Sequence, residues 1–212
     1  MGETPRIRYD EGCLAAHALN LIGDRWALLV VRELYFAPKR FQMIRAGLPG
    51  VTASVLTARL AQLREAGVLT HDARLGVYAL TDAGRALMPV LEALCRWALI
   101  MPGHDHTRFI SPSALMISMG VNLMRDQIGP GIAQAGFDFG SERFAMQVDN
   151  RLVTTQAADQ PDAPFLLKGD GNAMAIAVYG PTPLDQLVAR GVIAAEGDLA
   201  AAQDFVDMFR LE

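Results

Sequence analysis

The segment from Phe41 to Gly67 contains two helical stretches separated by a short break, and this arrangement restricts the possible folds more than any other feature of the chain. In the first stretch Phe41, Ile44 and Leu48 recur three or four residues apart, which places them on one face of a helix. Pro49 and Gly50 follow and end that helix. The pattern therefore predicts two short helices joined by a tight turn.

The second helix of this pair is predicted to begin after Thr52, whose hydroxyl suits an N-cap, and to end at Gly67. Leu56, Leu60 and Leu63 share its apolar face. The opposite face carries hydroxyl, amide and guanidinium groups. Such groups contact base edges and phosphates when a helix lies in the major groove of DNA.

Two β-prone runs follow this helix, Val68–His71 and Val77–Leu80, with Asp72–Gly76 between them. Thr81 begins a further helix that is predicted to run to about Leu99. A helix pair, a hairpin and a third helix follow one another in a winged helix-turn-helix domain. The apolar stripe on the last helix is wider than one small domain needs, so this stripe and the first helix of the chain are the predicted dimer interface.

Three segments of the first half carry motifs of a known family, namely CLAAHALNLIGDRWALLVVREL (Cys13–Leu34), RFQMIRAGLPGVTASVLTARLAQLREAGVLT (Arg40–Thr70) and YALTDAGRALMPVLEALCRWA (Tyr78–Ala98). Together they resemble the HxlR family of bacterial winged-helix regulators. The resemblance implies a homodimer that binds double-stranded DNA and represses or activates transcription. The predicted wing departs from the usual pattern because it is short and has Arg74 as its one cation.

Candidate residues for DNA contact lie on the helix pair and the wing. They are Arg40, Thr52, Ser54, Thr57, Arg59 and Arg74. Arg59 and Arg40 are interpreted as phosphate contacts, and the alternative for each is a solvated charged face. Thr57 is the candidate for a base contact, whereas Thr52 is expected to cap its helix rather than to read bases.

The two halves of the chain differ in charge, although the formal net charge of the whole is −4. Residues 1–100 hold 12 Lys and Arg against 9 Asp and Glu, and residues 101–212 hold 7 against 14, so the balances are +3 and −7. We therefore expect only the first half to meet phosphates. Proline, glycine and the change in charge predict a DNA-binding and dimerisation domain at 1–100, a linker at 101–110 and a second domain at 111–212.

The second half changes from a helical period to a period of two. Phe137 and Phe139, and then Phe144, Met146 and Val148, alternate with polar or small residues. This alternation is typical of a sheet with one solvated face. The predicted fold class is α+β, with a winged helix-turn-helix domain followed by a domain of sheet and helices.

The order of elements from Phe165 to Phe209, with its small-residue turns, resembles the end of a sterol-carrier-protein-type lipid-binding domain. The resemblance implies a sheet covered by helices, an apolar tunnel between them and no catalytic residues. We therefore expect a pocket for a hydrophobic small-molecule effector. Its predicted lining is some of Phe137, Phe144, Met146, Phe165, Met174 and Phe205.

Cys13 stands where the resembled family often carries a redox-sensitive thiol, and the start of a helix lowers the pKa of a thiol. The alternative function is accordingly a thiol-based redox-sensing regulator whose second domain only supports dimerisation. The alternative for Cys13 itself is an inert packed side chain.

The sequence lacks the motifs of metal sites, enzymes and membrane segments. Two cysteines without a Cys-x-x-Cys pair, and four scattered histidines, indicate no structural zinc and no cofactor. Neither a Gly-rich phosphate loop nor a Gly-x-Ser-x-Gly elbow occurs, so we do not expect an enzyme. No apolar run suggests a signal peptide or a membrane span, and the expected location is the cytoplasm.

Overall fold

The computed structural model describes residues 8–124 and 131–209. The chain divides into two compact units, residues 1–91 and 92–212. The division falls inside a helix, whereas the sequence predicts a linker at 101–110; that domain partition stays a prediction. We describe each unit by itself.

The first unit combines helices with a small sheet. Its elements are α1 (Leu14–Ile22), α2 (Ala27–Leu34), β1 (Lys39–Arg40), α3 (Phe41–Ala46), α4 (Ala53–Glu65), β2 (Leu69–Asp72), β3 (Val77–Leu80), α5 (Asp82–Arg85) and the beginning of α6 (Met88–Leu99). The antiparallel sheet has the strand order β1-β3-β2. The predicted helix pair and hairpin are present, so the winged helix-turn-helix fold is confirmed.

The turn between α3 and α4 forms for the reasons that the sequence suggests. Gly50 has a φ of 85°, a backbone angle that residues with a Cβ rarely adopt. The Thr52 hydroxyl then accepts a hydrogen bond from the Val55 amide at 3.3 Å and caps α4. Ile44 of α3 and Leu60 of α4 are buried in the same unit, so the turn is held by both helices.

The predicted single helix from Thr81 to Leu99 is wrong in one respect, because it is two helices. Thr81 caps the four-residue α5, and α6 begins at Met88 with Pro89 in its first turn. Proline has no amide N–H, but the N–H groups in the first turn of a helix have no partner within the helix, so proline is tolerated there. The helix is therefore interrupted before Pro89 and is not kinked at it.

The second unit is a five-stranded sheet with helices. Its elements after α6 are α7 (Pro112–Val121), β4 (Ile132–Asp138), β5 (Arg143–Asp149), β6 (Leu152–Ala157), β7 (Phe165–Lys168), α8 (Gly171–Tyr179), α9 (Leu184–Ala189), β8 (Ala194–Gly197) and α10 (Leu199–Val206). The strand order is β6-β5-β4-β7-β8, and β4 and β7 are parallel while the other neighbours are antiparallel. The residue pattern also predicts a helix from Ser111 to Gln127; α7 ends at Val121, and Gln127 lies outside the described residues.

The alternation of apolar residues in this sheet produces one buried face. Phe144, Met146 and Val148 are all buried, whereas Ala145 and Gln147 between them are partly exposed. Helix α10 contacts β4 and β7 and supplies Phe205 to the core. The α+β class of the whole chain is thus confirmed.

Among the described residues, no single helix has the length and apolar composition of a membrane span. Helices α1 and α2 reach that length and composition only when they are taken together, and their axes are bent by 74° at the break between them.

Candidate DNA-binding surface

The exposed side chains in the first half of α4 bear hydroxyls or are small and apolar, among them Val55, whereas Arg64 and Glu65 are exposed near its end. Ser54 and Thr57 are exposed, and Ala58 lies beside them without a bulky group. The Thr52 and Ser54 hydroxyls are 3.1 Å apart, so the two share a hydrogen bond at the N-terminus of the helix. A face of this kind lets the helix backbone approach base edges closely while offering donors and acceptors.

Arg59 differs from the prediction because its guanidinium is not available to a phosphate. The residue is 8% exposed, and its Nη atoms contact the Asp24 carboxylate and the Gln62 amide oxygen. Asp24 lies between α1 and α2, where its Oδ1 also accepts from the Trp26 amide at 2.9 Å. Arg59 therefore joins α4 to the α1–α2 turn, which argues against the predicted phosphate contact. Helical spacing missed this role because Asp24 is remote in sequence.

Two other predicted cations do lie at the surface. Arg40 is exposed at the N-cap of α3, and Arg74 is exposed in the turn between β2 and β3. The Asp72 carboxylate shapes that turn by accepting from the amides of Arg74 and Leu75 at 2.8 and 3.1 Å. The exposed arginines Arg45 of α3 and Arg64 of α4 are further candidates that the residue pattern did not single out.

A buried ion cluster supports the end of α3. Glu33 and Lys39 are each 1% exposed, with Lys39 Nζ 3.4 Å from Glu33 Oε2. Arg32 donates to Glu33 Oε1 at 2.8 Å and to the carbonyl oxygen of Gly47 at 3.0 Å. A Cβ on Gly47 would overlap Glu33 Oε2, so any larger residue would displace the carboxylate from the cluster. This cluster fixes the point where the chain leaves α3 for the turn.

Exposed apolar side chains lie on α1 and α6. They are Leu14, Leu19 and Leu21 on α1, and Val90, Leu94, Trp97 and Leu99 on α6. Leu91 also belongs to the predicted stripe, but it is only 6% exposed and packs within its own chain. The exposed stripe of α6 is therefore narrower than the sequence predicts.

Cys13 is exposed and is the N-cap residue of α1. Hydrogen bonds from the backbone amides of Ala16 and Ala15 lower the pKa of its thiol. Cys95 is partly exposed, and neither cysteine forms a disulfide. Within the described ranges, no group of three His, Cys, Asp or Glu side chains could hold a metal ion.

The six residues predicted to line an effector pocket are all buried in the core of the second unit. The ring of Phe205 lies 6.3 Å from that of Phe137 and 5.8 Å from that of Phe165, so these side chains pack against one another. Two surface grooves of about 370 and 390 Å³ occur in this unit, and of the six residues Met146 alone lines either of them. The effector assignment of these residues stays a prediction.

Comparison with known proteins gives the family. Residues 21–104 match the HxlR-like helix-turn-helix model. The uncharacterized HTH-type transcriptional regulator YvaP of Bacillus subtilis (strain 168) is 36% identical over 104 residues, which are 46% of this chain and 88% of YvaP. The chain belongs to the HxlR-like helix-turn-helix family. This HxlR-family chain is thus a DNA-binding transcriptional regulator, and the resemblance stated for its first half is confirmed.

Other relatives match this HxlR-family chain over a similar extent. An uncharacterized HTH-type transcriptional regulator of Methanothermobacter thermautotrophicus is 32% identical over 44% of this chain and 75% of its own length. The crystal structure of the quinone-bound YodB from B. subtilis has 31% identity and a TM-score of 0.37, covering 40% of this chain and 93% of YodB. The family match ends at residue 104, before the sheet of the second unit begins.

Proposed function

We propose that this HxlR-family regulator binds a pseudo-palindromic operator as a homodimer, with α4 of each copy in a major groove. The observation that carries the proposal is the exposed face of α4, where Ser54 and Thr57 stand among small residues. These hydroxyls would read base edges, and Thr52 would mainly cap the helix. A two-fold protein suits an operator with two half-sites about one helical turn apart.

Phosphate contacts would come from exposed arginines around α4. Arg40 precedes α3, and Arg74 lies at the tip of the β2–β3 hairpin. Arg59 has a different role in this proposal, because its ion pair with Asp24 positions α4 against the α1–α2 turn. Direct base contacts and phosphate contacts can be separated by experiment, since only the latter depend strongly on salt.

The test begins with selection of an operator from a random duplex library and binding measurements over a salt series. Thr57→Ala should alter the preferred sequence by about 1 kcal/mol at the contacted base. Arg74→Gln should weaken binding to all sequences and reduce the salt slope by roughly 0.9 for each phosphate lost. If Thr57→Ala and Ser54→Ala both have the same sequence preference as the wild type, the assignment of α4 as the reading helix is refuted.

We propose that the exposed leucines of α1 and the outer stripe of α6 form the dimer interface. Leu94 is 44% exposed and Trp97 is 57% exposed, which is unusual for such large apolar side chains unless a second surface covers them. Leu94→Glu should therefore lower the oligomeric state of the folded protein and abolish operator binding. Arg96→Ala is the matched control, because Arg96 is also exposed on α6 but is not apolar. An unchanged molar mass of Leu94→Glu in light scattering would place the interface elsewhere.

The second unit is proposed to be a sterol-carrier-like effector domain. The proposal is supported by an arrangement that the resemblance implies. One face of the sheet is apolar, and helix α10 packs on it. Because the predicted lining is packed, an apolar effector would have to bind by displacing side chains such as Phe205 from this core. Thermal-shift measurements with fatty acids and polycyclic aromatic compounds test this, since a ligand of the native state raises the melting temperature.

Redox sensing at Cys13 is the second candidate, favoured by an exposed thiol whose pKa is lowered by the amides of α1. Oxidation of Cys13 would act next to the proposed interface, because Cys13 directly precedes the exposed Leu14. The Cys13→Ser variant should then bind DNA identically before and after diamide treatment, whereas the wild type should not. Equal responses of the two proteins would exclude this candidate.

A further inference from the structure

Strand β6 at one edge of the second sheet has no charged side chain. Its sequence from Leu152 to Ala157 is Leu-Val-Thr-Thr-Gln-Ala, and Leu152 is 68% exposed. Exposed sheet edges are usually protected from pairing by charges, proline or a bulge. The opposite edge, β8, follows that rule, because it is short and its Glu196 pairs with Lys168. The β6 edge, which helix α7 also contacts, lacks these protections.

The hydrogen bonds of β6 show which of its backbone groups face outward. The amide of Ala158 donates to the carbonyl oxygen of Arg143 at 3.0 Å, in continuation of the register that sets Ala157 opposite Phe144. In an antiparallel ladder only every second residue exchanges hydrogen bonds with a given neighbouring strand. Thr154 and Gln156 therefore bond to β5, as Ala158 does. The outward amides and carbonyls are those of Val153, Thr155 and Ala157.

We propose that β6 pairs with β6 of a second copy of this chain, antiparallel and with Thr155 on the two-fold axis. The two-fold axis of such a pair is perpendicular to the sheet and keeps each side chain on its own face. Residues that lie opposite each other must share a face, so one residue has to lie opposite its own copy. With Thr155 at the centre, Val153 lies opposite Ala157 of the second copy. All three outward residues are then paired, and at two bonds a pair they form roughly six main-chain hydrogen bonds.

Charge favours this register and a second copy as the occupant. Arg151 precedes β6, and Asp159 follows it. Arg151 lies in the β5–β6 turn with a φ of 70°, at the end of the strand. The proposed register brings this end of β6 next to Asp159 of the second copy, and the symmetry repeats this approach of opposite charges at the other end. Asp159 is held near this position because its carbonyl oxygen accepts from Arg143 Nη1 at 2.9 Å. An axis at Thr154 would instead bring the turn next to Ala157 and would leave the charges unmatched. Opposite charges at the rim of an interface select its register.

Disulfide cross-linking tests the register in the full-length protein. In a Cys13→Ser, Cys95→Ser background, Thr154→Cys and Gln156→Cys are made as separate variants. The proposed register sets residue 154 opposite residue 156 of the second copy, at a Cα separation of about 4.5 Å. Two copies of the same variant would have their cysteines on the diagonal, about 7–8 Å apart, which is too far for a disulfide.

Covalent dimers are therefore expected when the two variants are co-expressed and oxidised, and not from either variant alone. Absence of dimers from the co-expressed pair overturns the proposal. Efficient cross-linking of Thr154→Cys alone also overturns it, because that result requires the axis at residue 154. No DNA is present in this experiment, so its outcome is independent of the proposed operator binding.

Amide hydrogen exchange gives a second measurement. Thr155→Pro should fold normally, because its amide faces away from β5 and proline is tolerated at such an edge position. The amides of Val153 and Ala157 should be protected in the wild type and should exchange at least tenfold faster in this variant. Gln156 is the internal control, since its bond to β5 is unchanged. Rapid exchange of Val153 and Ala157 in the wild type, or protection without cross-linking, would refute pairing with a second copy.

Discussion

The ion pair between Asp24 and Arg59 gives a direct test of how α4 is positioned. Arg59 belongs to the predicted DNA-reading helix, yet its guanidinium contacts Asp24 in the α1–α2 turn. Asp24→Asn keeps the size of the side chain and removes its charge. If the pair holds α4 in place, this change should destabilise the first unit, and the loss should depend on the presence of Arg59.

The expected magnitude follows from the exposure of the two side chains. A hydrogen bond between charged groups contributes about 1.5–3 kcal/mol to stability when it is shielded from water. The Arg59 side chain is 9% exposed but that of Asp24 is 33% exposed, so solvent screens part of the interaction. We expect a coupling energy of about 1–2 kcal/mol in the double-mutant cycle of Asp24→Asn and Arg59→Gln.

Urea unfolding measures this coupling through Trp26 fluorescence in a Trp97→Phe background, because Trp26 lies in the first unit. A coupling energy below about 0.5 kcal/mol would refute the structural role of the pair, since that is the usual error of additivity for independent sites. The same Arg59→Gln variant should keep the wild-type salt slope of DNA binding. A slope reduced by roughly 0.9 would show instead that Arg59 contacts a phosphate.

Two further predictions concern the second unit. Phe205→Ala should destabilise it by about 3–5 kcal/mol in chemical denaturation, because the ring packs against Phe137 and Phe165 and its loss leaves a cavity; a cost below 1 kcal/mol would show that the core is loosely packed there. Burial raises the pKa of Tyr179 to about 12, above its ordinary value of 10, although its hydroxyl also bonds to Ser118 Oγ at 2.8 Å. The neutral phenol thus stabilises the fold fully below pH 10, and this contribution is lost as pH rises from 10 to 12. Tyr179→Phe should remove that part of the pH dependence in alkaline unfolding, and an unchanged profile would contradict it.

Local sequence patterns predicted the elements of the first unit well, because their causes are local. The spacing of Leu56, Leu60 and Leu63 defined the buried face of α4, and all three are buried. Thr52 caps α4 as its side-chain chemistry suggests. The same reasoning merged α5 and α6 because the apolar spacing continues through Pro89. In that case the backbone requirement of proline outweighed the periodicity.

Roles that depend on distant partners could not be predicted. Lys39 and Arg40 are adjacent cations in the sequence, but Lys39 is buried against Glu33 and Arg40 is exposed. Nothing in their spacing distinguishes them, since the difference arises when β1 pairs with β3. Arg59 was likewise placed on the exposed face of α4, as a phosphate contact, because its position lies off the leucine stripe. Its carboxylate partner becomes visible only in three dimensions.

These buried cations change the electrostatic argument for DNA binding. The balance of +3 in residues 1–100 counts every cation equally. Lys39 and Arg59 are each paired with a neighbouring carboxylate, so leaving both pairs out of the count does not change the net charge of +3. The residues that supply this charge, however, are then different ones. The positive potential then comes from exposed arginines such as Arg45, Arg64 and Arg74. Arg45 lies on α3, Arg64 near the end of α4 and Arg74 in the wing, whereas Ser54 and Thr57 lie in the first half of α4. In the proposed mode of binding, phosphate attraction and base reading would fall to different side chains, so substitutions at Arg74 and Thr57 should separate affinity from sequence preference.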